Sequence, residues 1–420
     1  MTKHDYGHMD CPFYEEKLDN GMTLVFLPKK SKLTSAALYV GQGGFLHSKE
    51  ISSSRIPFGS AYYLMNLVCS DSFKEDLRRE GCLFGSDLDY SYVRYFLNTM
   101  DDIFPCLDKL MKRVLKPAFD ECDVVAFKEK ERILAEKRIQ DPILVSQNGC
   151  LNNLYFSSPI RYGYIPSYED SVRIHASSLR KYQETYYVPE NLVLFLSMDD
   201  SIENVLPKIK KMVTGRFSIK PEEKKFEYEE DYTKVNQEYK EIRMDVRHSY
   251  LTYGIKFPSR SIIYDNYGEL TFCAYEILIT AITSNREFQT QLGNLRAELV
   301  DATLKQGGED GYILLTFQTE NEVVLVNFLT AFFSKLGEKM NASQFDALTK
   351  DTFARCVREV STPNKAVDDF SRSYANHIPY TAMMRHIYKM SFSSYRRFME
   401  EFKSFKKAVC FVKRNETYAG

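Results

Sequence analysis

Histidine pairs are the first place to look for chemistry in this 420-residue chain, and they are few. His4 and His8 are four residues apart, a spacing that brings two imidazoles to one face of a helix and suits a metal ion. A metal there would need a third ligand held in place, and the N-terminal tail offers none. The other five are predicted to make local salt bridges (His47, His248), to lie in a cap or loop (His377, His386) or to stand alone (His175).

Candidate nucleophiles are equally sparse. Ser86 lies beside two aspartates in GSDLDYS (85–91), but no G-x-S-x-G turn presents its hydroxyl. Cys69 has no positive charge nearby in the sequence to lower the pKa of its thiol, so we interpret it as a buried structural thiol. The glycine-rich GQGG (41–44) lacks the lysine of a phosphate-binding loop and is predicted to be a turn. The sequence therefore shows no nucleophile with an activating partner.

Composition excludes several classes of partner. The 56 basic and 57 acidic residues nearly cancel, so no overall field favours nucleic acid or an anionic membrane. Apolar runs such as 323–333 are too short to cross a bilayer core of about 30 Å. The N-terminus lacks the apolar core of a signal peptide, and nine singly placed cysteines are typical of reduced thiols. We expect a cytoplasmic globular protein that binds neither nucleic acid nor membrane.

A weak internal duplication organises the chain. Residues 117–142 and 339–363 each run from a polar turn into a long amphipathic helix that ends at a proline, Pro142 or Pro363. Upstream of each, a strand precedes a helix: 35–44 before 60–70, and 250–257 before 269–284. We therefore predict two homologous domains, 1–217 and 240–420, joined by a charged linker at 218–239.

Alternating hydrophobicity predicts the strands, and long amphipathic segments predict helices between them. The fold class expected is α+β, with each domain an antiparallel-leaning β-sheet that has helices on one face. The predicted strands are 23–29, 36–41, 92–99, 192–198, 312–319 and 407–414, and the clearest helices are 101–116 and 120–140.

Several segments in order resemble one family. The opening LDNGMTLVFLPK, the helix RIPFGSAYYLMNLV, the charged KEKERILAEKRIQDP and the motif Tyr187-x-Pro189-x-Asn191-Leu192 match it over residues 12–210, and 241–257 and 295–304 match more weakly. The chain is similar to the insulinase, pitrilysin and mitochondrial-processing-peptidase-like zinc peptidases, and within them to the bacterial YmfH/YmfF-type branch. The resemblance implies two related α+β domains that form half of a clam-shell chamber around a peptide.

The resemblance also shows what this chain has lost. Active members carry H-x-x-E-H, in which two histidines hold zinc and the glutamate is the general base. Those three positions fall on Tyr62, Met65 and Asn66. The downstream acids Glu129 and Glu136 are retained, and Glu136 matches the third ligand.

A phenol, a thioether and a neutral amide cannot replace this zinc site. The phenol of a tyrosine is protonated at neutral pH, an amide oxygen suits a hard cation among many oxygens, and methionine is no base. We therefore expect no metal, no cofactor and no catalytic residue in the chain.

A silent member could still bind peptide. In this family the substrate is expected to add to a sheet edge, which corresponds here to a strand over 80–98, with Phe84, Gly85 and Ser86 as candidate contacts. The alternative is an ordinary protected edge strand. Many members also use an arginine and a tyrosine of the second domain. Arg286 and Arg296 occur in the matching stretch, but Val300-Asp301-Ala302 stands where the tyrosine should be, so the pair cannot be placed.

Two functions remain open. The first is a catalytically silent subunit that pairs with a zinc-containing homologue as a heterodimeric peptidase, with a peptide precursor in the shared chamber. Bacterial pairs of this kind sometimes mature ribosomally made peptides. The second is a non-proteolytic peptide-binding or scaffold protein that acts as a homodimer.

Overall fold

The computed structural model describes residues 1–5, 12–41, 56–163, 165–213, 228–258, 266–283, 285–305, 310–335, 340–374 and 380–415. The chain divides into two compact units. The first contains Met1–Arg132, Tyr164–Phe226 and Val357–Thr381, and the second contains Ile133–Gly163, Glu227–Cys356 and Ala382–Gly420. Each unit is therefore assembled from both halves of the sequence.

The first unit is built on a seven-stranded sheet in the order β1-β2-β3-β7-β4-β6-β5. Neighbouring strands are antiparallel except for β3 and β7, which are parallel. Its strands are β1 Thr2–His4, β2 Phe13–Lys17, β3 Thr23–Pro28, β4 Thr34–Gly41, β5 Cys82–Leu88, β6 Tyr92–Thr99 and β7 Leu192–Met198.

The second unit repeats five of these strands in the same spatial order. Its strands are β8 Tyr239–Met244, β9 Tyr250–Pro258, β10 Glu298–Lys305, β11 Asp310–Gln318 and β12 Lys407–Arg414. The order β8-β12-β9-β11-β10 copies β3-β7-β4-β6-β5, and β8 and β12 are the parallel pair. The α+β class and the duplicated, mostly antiparallel sheets are confirmed, and the predicted strands occur within two residues of their expected bounds.

The helices also recur in the same sequence order in both halves. Several begin at a side-chain N-cap, among them Ser70, Asp102, Asp141 and Asn285, which satisfies backbone N–H groups of the first turn. The helices are α1 Ser60–Val68, α2 Asp71–Arg79, α3 Ile103–Leu115, α4 Glu121–Arg138, α5 Pro142–Leu154, α6 Tyr168–Ser171, α7 Ala176–Tyr186, α8 Ile202–Val213, α9 Asn266–Thr283, α10 Arg286–Asn294, α11 Glu322–Lys335, α12 Ala342–Glu359, α13 Pro363–Tyr374, α14 Tyr380–Lys389 and α15 Phe392–Ser404.

Two helices are exchanged between the sequence halves. Helix α5, from the first half, packs on β9 and β12, whereas α13, from the second half, packs on β4 and β7. Pro142 and Pro363 follow the long helices as expected, and each also begins the next helix. The boundaries 1–217, 218–239 and 240–420 stay a prediction about homology, since the compact units do not follow the chain order.

The expectation of helices on one sheet face is wrong for the first unit. Alternate residues of β4, such as Leu38, join the core formed with α1 and α3. Tyr39, which points to the opposite face, packs its ring 5.6 Å from that of Tyr374 on α13. Seven of the eight residues of β4 are buried because both faces are covered.

Candidate functional site

Helix α1, which the sequence resemblance matches to the family's zinc helix, starts at a constrained glycine. Gly59 has φ +87°, and a Cβ there would approach the Cγ of Pro166 to 2.5 Å, so no other residue fits without displacement. The hydroxyl of Ser60 donates to the carbonyl of Pro57 at 2.7 Å. The backbone therefore fixes the start of α1 and the direction of its side chains.

The three residues at the ligand and base positions make internal contacts. The Tyr62 hydroxyl donates to Glu131 Oε2 of α4 at 2.8 Å. Asn66 Nδ2 donates to the carbonyl of Tyr62 at 2.8 Å, which turns the amide back along its own helix. Met65 is 8% exposed and belongs to the hydrophobic core. Tyr62 and Met65 thus tie α1 to its surroundings, whereas the Asn66 amide bonds within α1.

Glu131 is the acid of α4 that contacts the degenerate helix. Its side chain is buried at 2% exposure, and it shares the buried face of α4 with Val124, seven residues earlier. The two acids selected from the sequence lie elsewhere: Glu129 is 62% exposed and pairs with Arg132, and Glu136 is exposed. Sequence reasoning missed Glu131, because its spacing of seven from Val124 equals that between Glu129 and Glu136 and does not show which pair is buried.

Aromatic rings fill the space beside this contact. The Phe127 ring of α4 lies 6.0 Å from that of Tyr62 and meets the Tyr63 ring edge-on at 5.0 Å. Such pairs add about 0.5–1.5 kcal/mol each beyond the area they bury. The junction of α1 and α4 is therefore a packed hydrophobic seam that contains the hydrogen bond from Tyr62 to Glu131.

These residues do not fit a catalytic zinc ion. Catalytic zinc takes three nitrogen, sulfur or carboxylate ligands and an open position for water. Here one carboxylate, Glu131, faces a hydroxyl that donates to it, and the other two positions offer an amide and a thioether. Across the described ranges, no group of three or more His, Cys, Asp or Glu residues could hold a metal ion.

Cys69 remains a thiol. Burial raises its pKa to about 11, and a hydrogen bond from Ser86 and the charges of Lys74 and Arg113 only partly oppose this. The sequence reasoning overlooked both basic residues, which are brought near by the fold, but the protonated state it predicted is the same. A protonated buried thiol is a poor nucleophile.

His4, in the N-terminal tail, pairs with Glu15 of the neighbouring strand. His4 Nε2 lies 3.4 Å from Glu15 Oε2, and its ring stacks on Phe13 at 4.4 Å. His8, His47 and His377 lie outside the described residues. His175 precedes α7, with Nδ1 3.1 Å from Glu121 Oε1.

The expected peptide-binding strand is a hairpin. The stretch 80–98 turns at Asp89 and forms β5 and β6, because Gly and Asp residues between the two apolar runs favour a turn. Strand β5 is an edge of the seven-stranded sheet, and it carries all three candidate residues.

The candidate contacts on β5 have structural partners. A Cβ on Gly85 would lie 2.4 Å from Cζ of Phe96, so this glycine makes room for a cross-strand ring. The Phe84 ring packs edge-on against the Phe73 ring, with 5.3 Å between their centroids. The Ser86 side chain forms a hydrogen bond with the Cys69 thiol. Leu83, at 67% exposure, is the large apolar residue that β5 leaves accessible. Peptide binding by Phe84, Gly85 and Ser86 stays a prediction.

The second-domain arginine and tyrosine remain unplaced. Arg286 begins α10 and is exposed, and Arg296 adopts φ +52° just before β10. Val300 lies at a bulge in β10, and Asp301 Oδ2 accepts a hydrogen bond from Gln147 at 3.0 Å. Residues 285–305 contain no tyrosine.

Comparisons with known proteins match this architecture. Residues 173–351 match the family model described as the peptidase M16 inactive domain. The chain is 21% identical over 393 residues to the uncharacterized zinc protease YmfH of Bacillus subtilis (strain 168), covering 88% of each. It superposes on an M16-like peptidase from Alicyclobacillus acidocaldarius with a TM-score of 0.83 and 16% identity, covering 97% of this chain and 99% of that one.

A longer structure is also similar. The periplasmic protease PqqL of Escherichia coli gives a TM-score of 0.73 at 12% identity, covering 99% of this chain and 49% of PqqL. The fold is thus similar to the two-domain architecture of M16-like peptidases, and helix α1, which only the sequence resemblance matches to the metal helix, carries no histidine. Residues 173–351 match the model of the M16 family's inactive domain, and the chain is similar in sequence and fold to insulinase- and pitrilysin-type (M16) peptidases. No helix in the described ranges is long and apolar enough to cross a membrane.

Proposed function

We propose that this chain is a catalytically silent M16 subunit that pairs with a zinc-containing homologue to form a heterodimeric peptidase. The observation that carries the proposal is the hydrogen bond from Tyr62 to Glu131 at 2.8 Å. It ties the buried acid of the α1–α4 junction to the side chain that stands at a ligand position in the family resemblance. The homologue supplies the zinc, and this chain supplies the other part of the enclosure.

The comparison with PqqL supports pairing. PqqL is about twice as long as this chain. The first half of PqqL alone is similar to this chain with a TM-score of 0.68, and the match covers 96% of this chain and 91% of that half. A second chain would supply what PqqL carries within one polypeptide. We propose a cytoplasmic location, supported by seven free cysteines among the described residues.

The proposed substrate is a peptide precursor that adds to the free edge of β5. An exposed edge offers unpaired backbone donors and acceptors, which bind an extended peptide irrespective of its sequence. The exposed Leu83 at this edge would give an apolar contact to alternate side chains of the peptide.

Co-expression with an H-x-x-E-H homologue tests the proposal. The two chains should co-elute from a size-exclusion column, and the homologue should cleave peptides much faster with this chain than alone. Leu83→Asp should reduce peptide cleavage by the complex, whereas Ile139→Asp, at a residue of matched exposure (68%), should not. Separate elution with equal cleavage by the homologue alone would refute the pairing. A self-dimer that binds peptide would favour the homodimeric scaffold instead.

A further inference from the structure

Two cysteines that are separated in the sequence meet within the first unit. Cys82 is the first residue of β5, and Cys106 lies in the first turn of α3. Their side chains form a hydrogen bond with each other. Both are free thiols, and the two residues are 1% and 2% exposed. Two sulfurs in contact on different elements can be joined by a small rotation of their side chains, without movement of the backbone.

The turn between α2 and β5 brings the two cysteines together. Gly81 adopts φ +73°, so the chain changes direction directly after Glu80, the residue that ends α2. The Thr99 hydroxyl donates to the Gly81 carbonyl at 3.0 Å. Thr99 is also the partner of Cys82 in the β5–β6 ladder. Helix α3 begins shortly after Thr99 and so carries Cys106 back to the start of β5.

An exposed ion pair covers the two thiols. Cys106 Sγ donates to Glu80 Oε2 at 3.5 Å, and the Lys109 ammonium of α3 pairs with the same carboxylate. The Lys109 and Glu80 side chains are 45% and 37% exposed, so the thiols lie directly beneath a surface contact. Ion pairs between exposed side chains are weak and open readily, and a water-sized reagent can then reach the sulfurs.

The two thiols differ in how firmly they hold their protons. Burial raises the pKa of both, and it raises the pKa of Cys106 to about 12. The hydrogen bond between them opposes this rise for Cys82 and adds to it for Cys106, as does the hydrogen bond from Cys106 to Glu80. Cys82 therefore ionises more readily than Cys106. Thiolate is scarce at neutral pH, so the pair reacts more slowly than an exposed thiol such as Cys122.

A second pair of cysteines provides a comparison within the same chain. In the second unit Cys150 of α5 lies near Cys410 of β12, and both are fully buried. The Cys150 thiol donates to the carbonyl of Ala408 at 3.4 Å and accepts the backbone N–H of Cys410. Its hydrogen bonds thus go to the main chain, whereas those of Cys106 go to a second thiol and to a surface carboxylate.

We propose that Cys82 and Cys106 are a modification site at which hydrogen peroxide forms a reversible disulfide. The Cys82 thiolate attacks one peroxide oxygen and the O–O bond breaks, which leaves a sulfenic acid on Cys82. The departing hydroxide takes up the proton that Cys82 released and becomes water. The Cys106 sulfur then attacks the Cys82 sulfur and the S–O bond breaks. The second hydroxide leaves with the Cys106 proton as water, so two electrons pass from two thiols to one peroxide.

Peroxide treatment of the full chain, followed by mass spectrometry, tests the proposal. The Cys122→Ala variant is used because the exposed Cys122 thiol would otherwise link chains to one another. We expect the intact mass to fall by about 2 Da, the mass of two hydrogen atoms, and peptide maps without reductant to show Cys82 joined to Cys106. Dithiothreitol should restore the original mass.

Single variants separate the roles of the two thiols. In Cys106→Ala the sulfenic acid on Cys82 has no second thiol to consume it, so dimedone should label Cys82. In Cys82→Ala the labelling of Cys106 should be at least about fivefold weaker, because Cys106 holds its proton more firmly. The matched control Cys150→Ala, also at a buried cysteine, should leave the yield of the Cys82–Cys106 link unchanged.

Three results would overturn the site: no loss of mass at a peroxide excess that oxidises Cys122 of the wild type, a disulfide that joins other cysteines instead, or equal labelling in the two single variants. Circular dichroism checks that each variant is folded, and Cys106→Ser replaces Cys106→Ala if the latter unfolds, with the same expected labelling of Cys82. The experiment needs neither a homologue nor a peptide, so its failure leaves the proposed function untouched.

Discussion

Arg94 of strand β6 donates to Asp368 of helix α13, with Nη2 2.5 Å from Oδ1. The contact joins the first and second halves of the sequence within one compact unit. The Arg94 side chain is 2% exposed. It also forms a two-pronged pair with Asp87 of β5 and donates to the Ser371 hydroxyl at 2.8 Å. This buried guanidinium is what fixes the exchanged helix to the first sheet.

Replacing Arg94 should therefore loosen α13. Arg94→Met removes the buried guanidinium and leaves Asp87 and Asp368, which are 30% and 40% exposed, with Arg372 alone, so we expect a loss of about 1.5–3 kcal/mol in the free energy of unfolding from the lost charged hydrogen bonds. Chemical denaturation monitored by circular dichroism measures it. Arg372→Met is the control, because that side chain is 56% exposed and its pairs should contribute under about 1 kcal/mol. Equal losses in the two variants would contradict the assigned role.

A second buried pair holds the second unit. Lys256 Nζ lies 2.6 Å from Glu230 Oε1, and both side chains are at most 1% exposed. Burial raises the pKa of Glu230, but Lys256 and the N–H groups of 156–158 more than offset this, so its pKa is lowered overall. Stability from this group is present above the ordinary pKa of a glutamate and is lost as the pH falls through the lowered value.

Glu230→Gln should remove that dependence. At pH 7 the variant leaves a buried ammonium without its counter-ion and should lose about 3–5 kcal/mol. As the pH falls below about 4, wild type loses stability through this group and the difference between the two proteins narrows. Urea titrations at pH 7 and pH 3.5 measure both effects, with the exposed Glu229→Gln as control. If the difference in unfolding free energy between wild type and Glu230→Gln stays constant with pH, the ionisation of Glu230 does not contribute to stability in this way.

Asp369 should have the opposite pH dependence. Burial, together with Glu359 and Asp368, raises its pKa to about 7, against the opposing charges of Lys365 and Arg372. Its Oδ2 is buried and has no hydrogen-bond partner among the described residues. Because the folded pKa is raised, the stability from this group is full below the ordinary value of 3.8 and is lost as the pH rises through 7.

Asp369→Asn should thus stabilise the protein at pH 8 by about 1–3 kcal/mol and change little at pH 4. Thermal melts at the two pH values measure it. Asp351→Asn, at an exposed position of α12, should have no effect at either pH. An equal gain at both pH values would show that ionisation of Asp369 is not the cause.

Local patterns explain what could be predicted from the sequence. Strands β6 at 92–99 and β7 at 192–198 could be predicted because short apolar runs with β-branched and aromatic residues are typical of strands, and nearly all of their residues are buried. The exchange of α5 and α13 could not be predicted in this way. Both helices start at a proline and both are amphipathic, and the choice of sheet is made by distant contacts such as Arg94 with Asp368 and Ser146 with Thr252.

The same distinction between local pattern and distant contact applies to the candidate site. The sequence alone shows which side chains stand at 62, 65 and 66, and the prediction that they replace zinc ligands rests on the family resemblance. The identity of the acid at the junction could not be predicted, because Glu129 and Glu136 share the same spacing of seven as Val124 and Glu131. Only the rotation of α4 against its neighbours decides which pair is buried.

Restoring the ligands distinguishes the two acids. In the triple variant Tyr62→His, Met65→Glu, Asn66→His, two imidazoles would stand on one face of α1. An imidazole at 62 would lie near the Glu131 carboxylate, which the Tyr62 hydroxyl now reaches at 2.8 Å. Three ligands of these types suffice for zinc, so we expect about one tightly bound zinc ion per chain, measured by elemental analysis after gel filtration. Wild type should retain far less.

Adding one further change to the triple variant identifies the third ligand. Glu131→Gln should remove the zinc, because an amide oxygen is a much weaker zinc ligand than a carboxylate, whereas Glu136→Gln should leave it in place. The reverse result would mean that α4 turns when the imidazoles enter and that the acid matched by sequence, Glu136, is the remnant ligand. Absence of zinc in the triple variant, if it remains folded, would mean that Phe127 and the other rings of the seam have closed the site sterically as well as chemically.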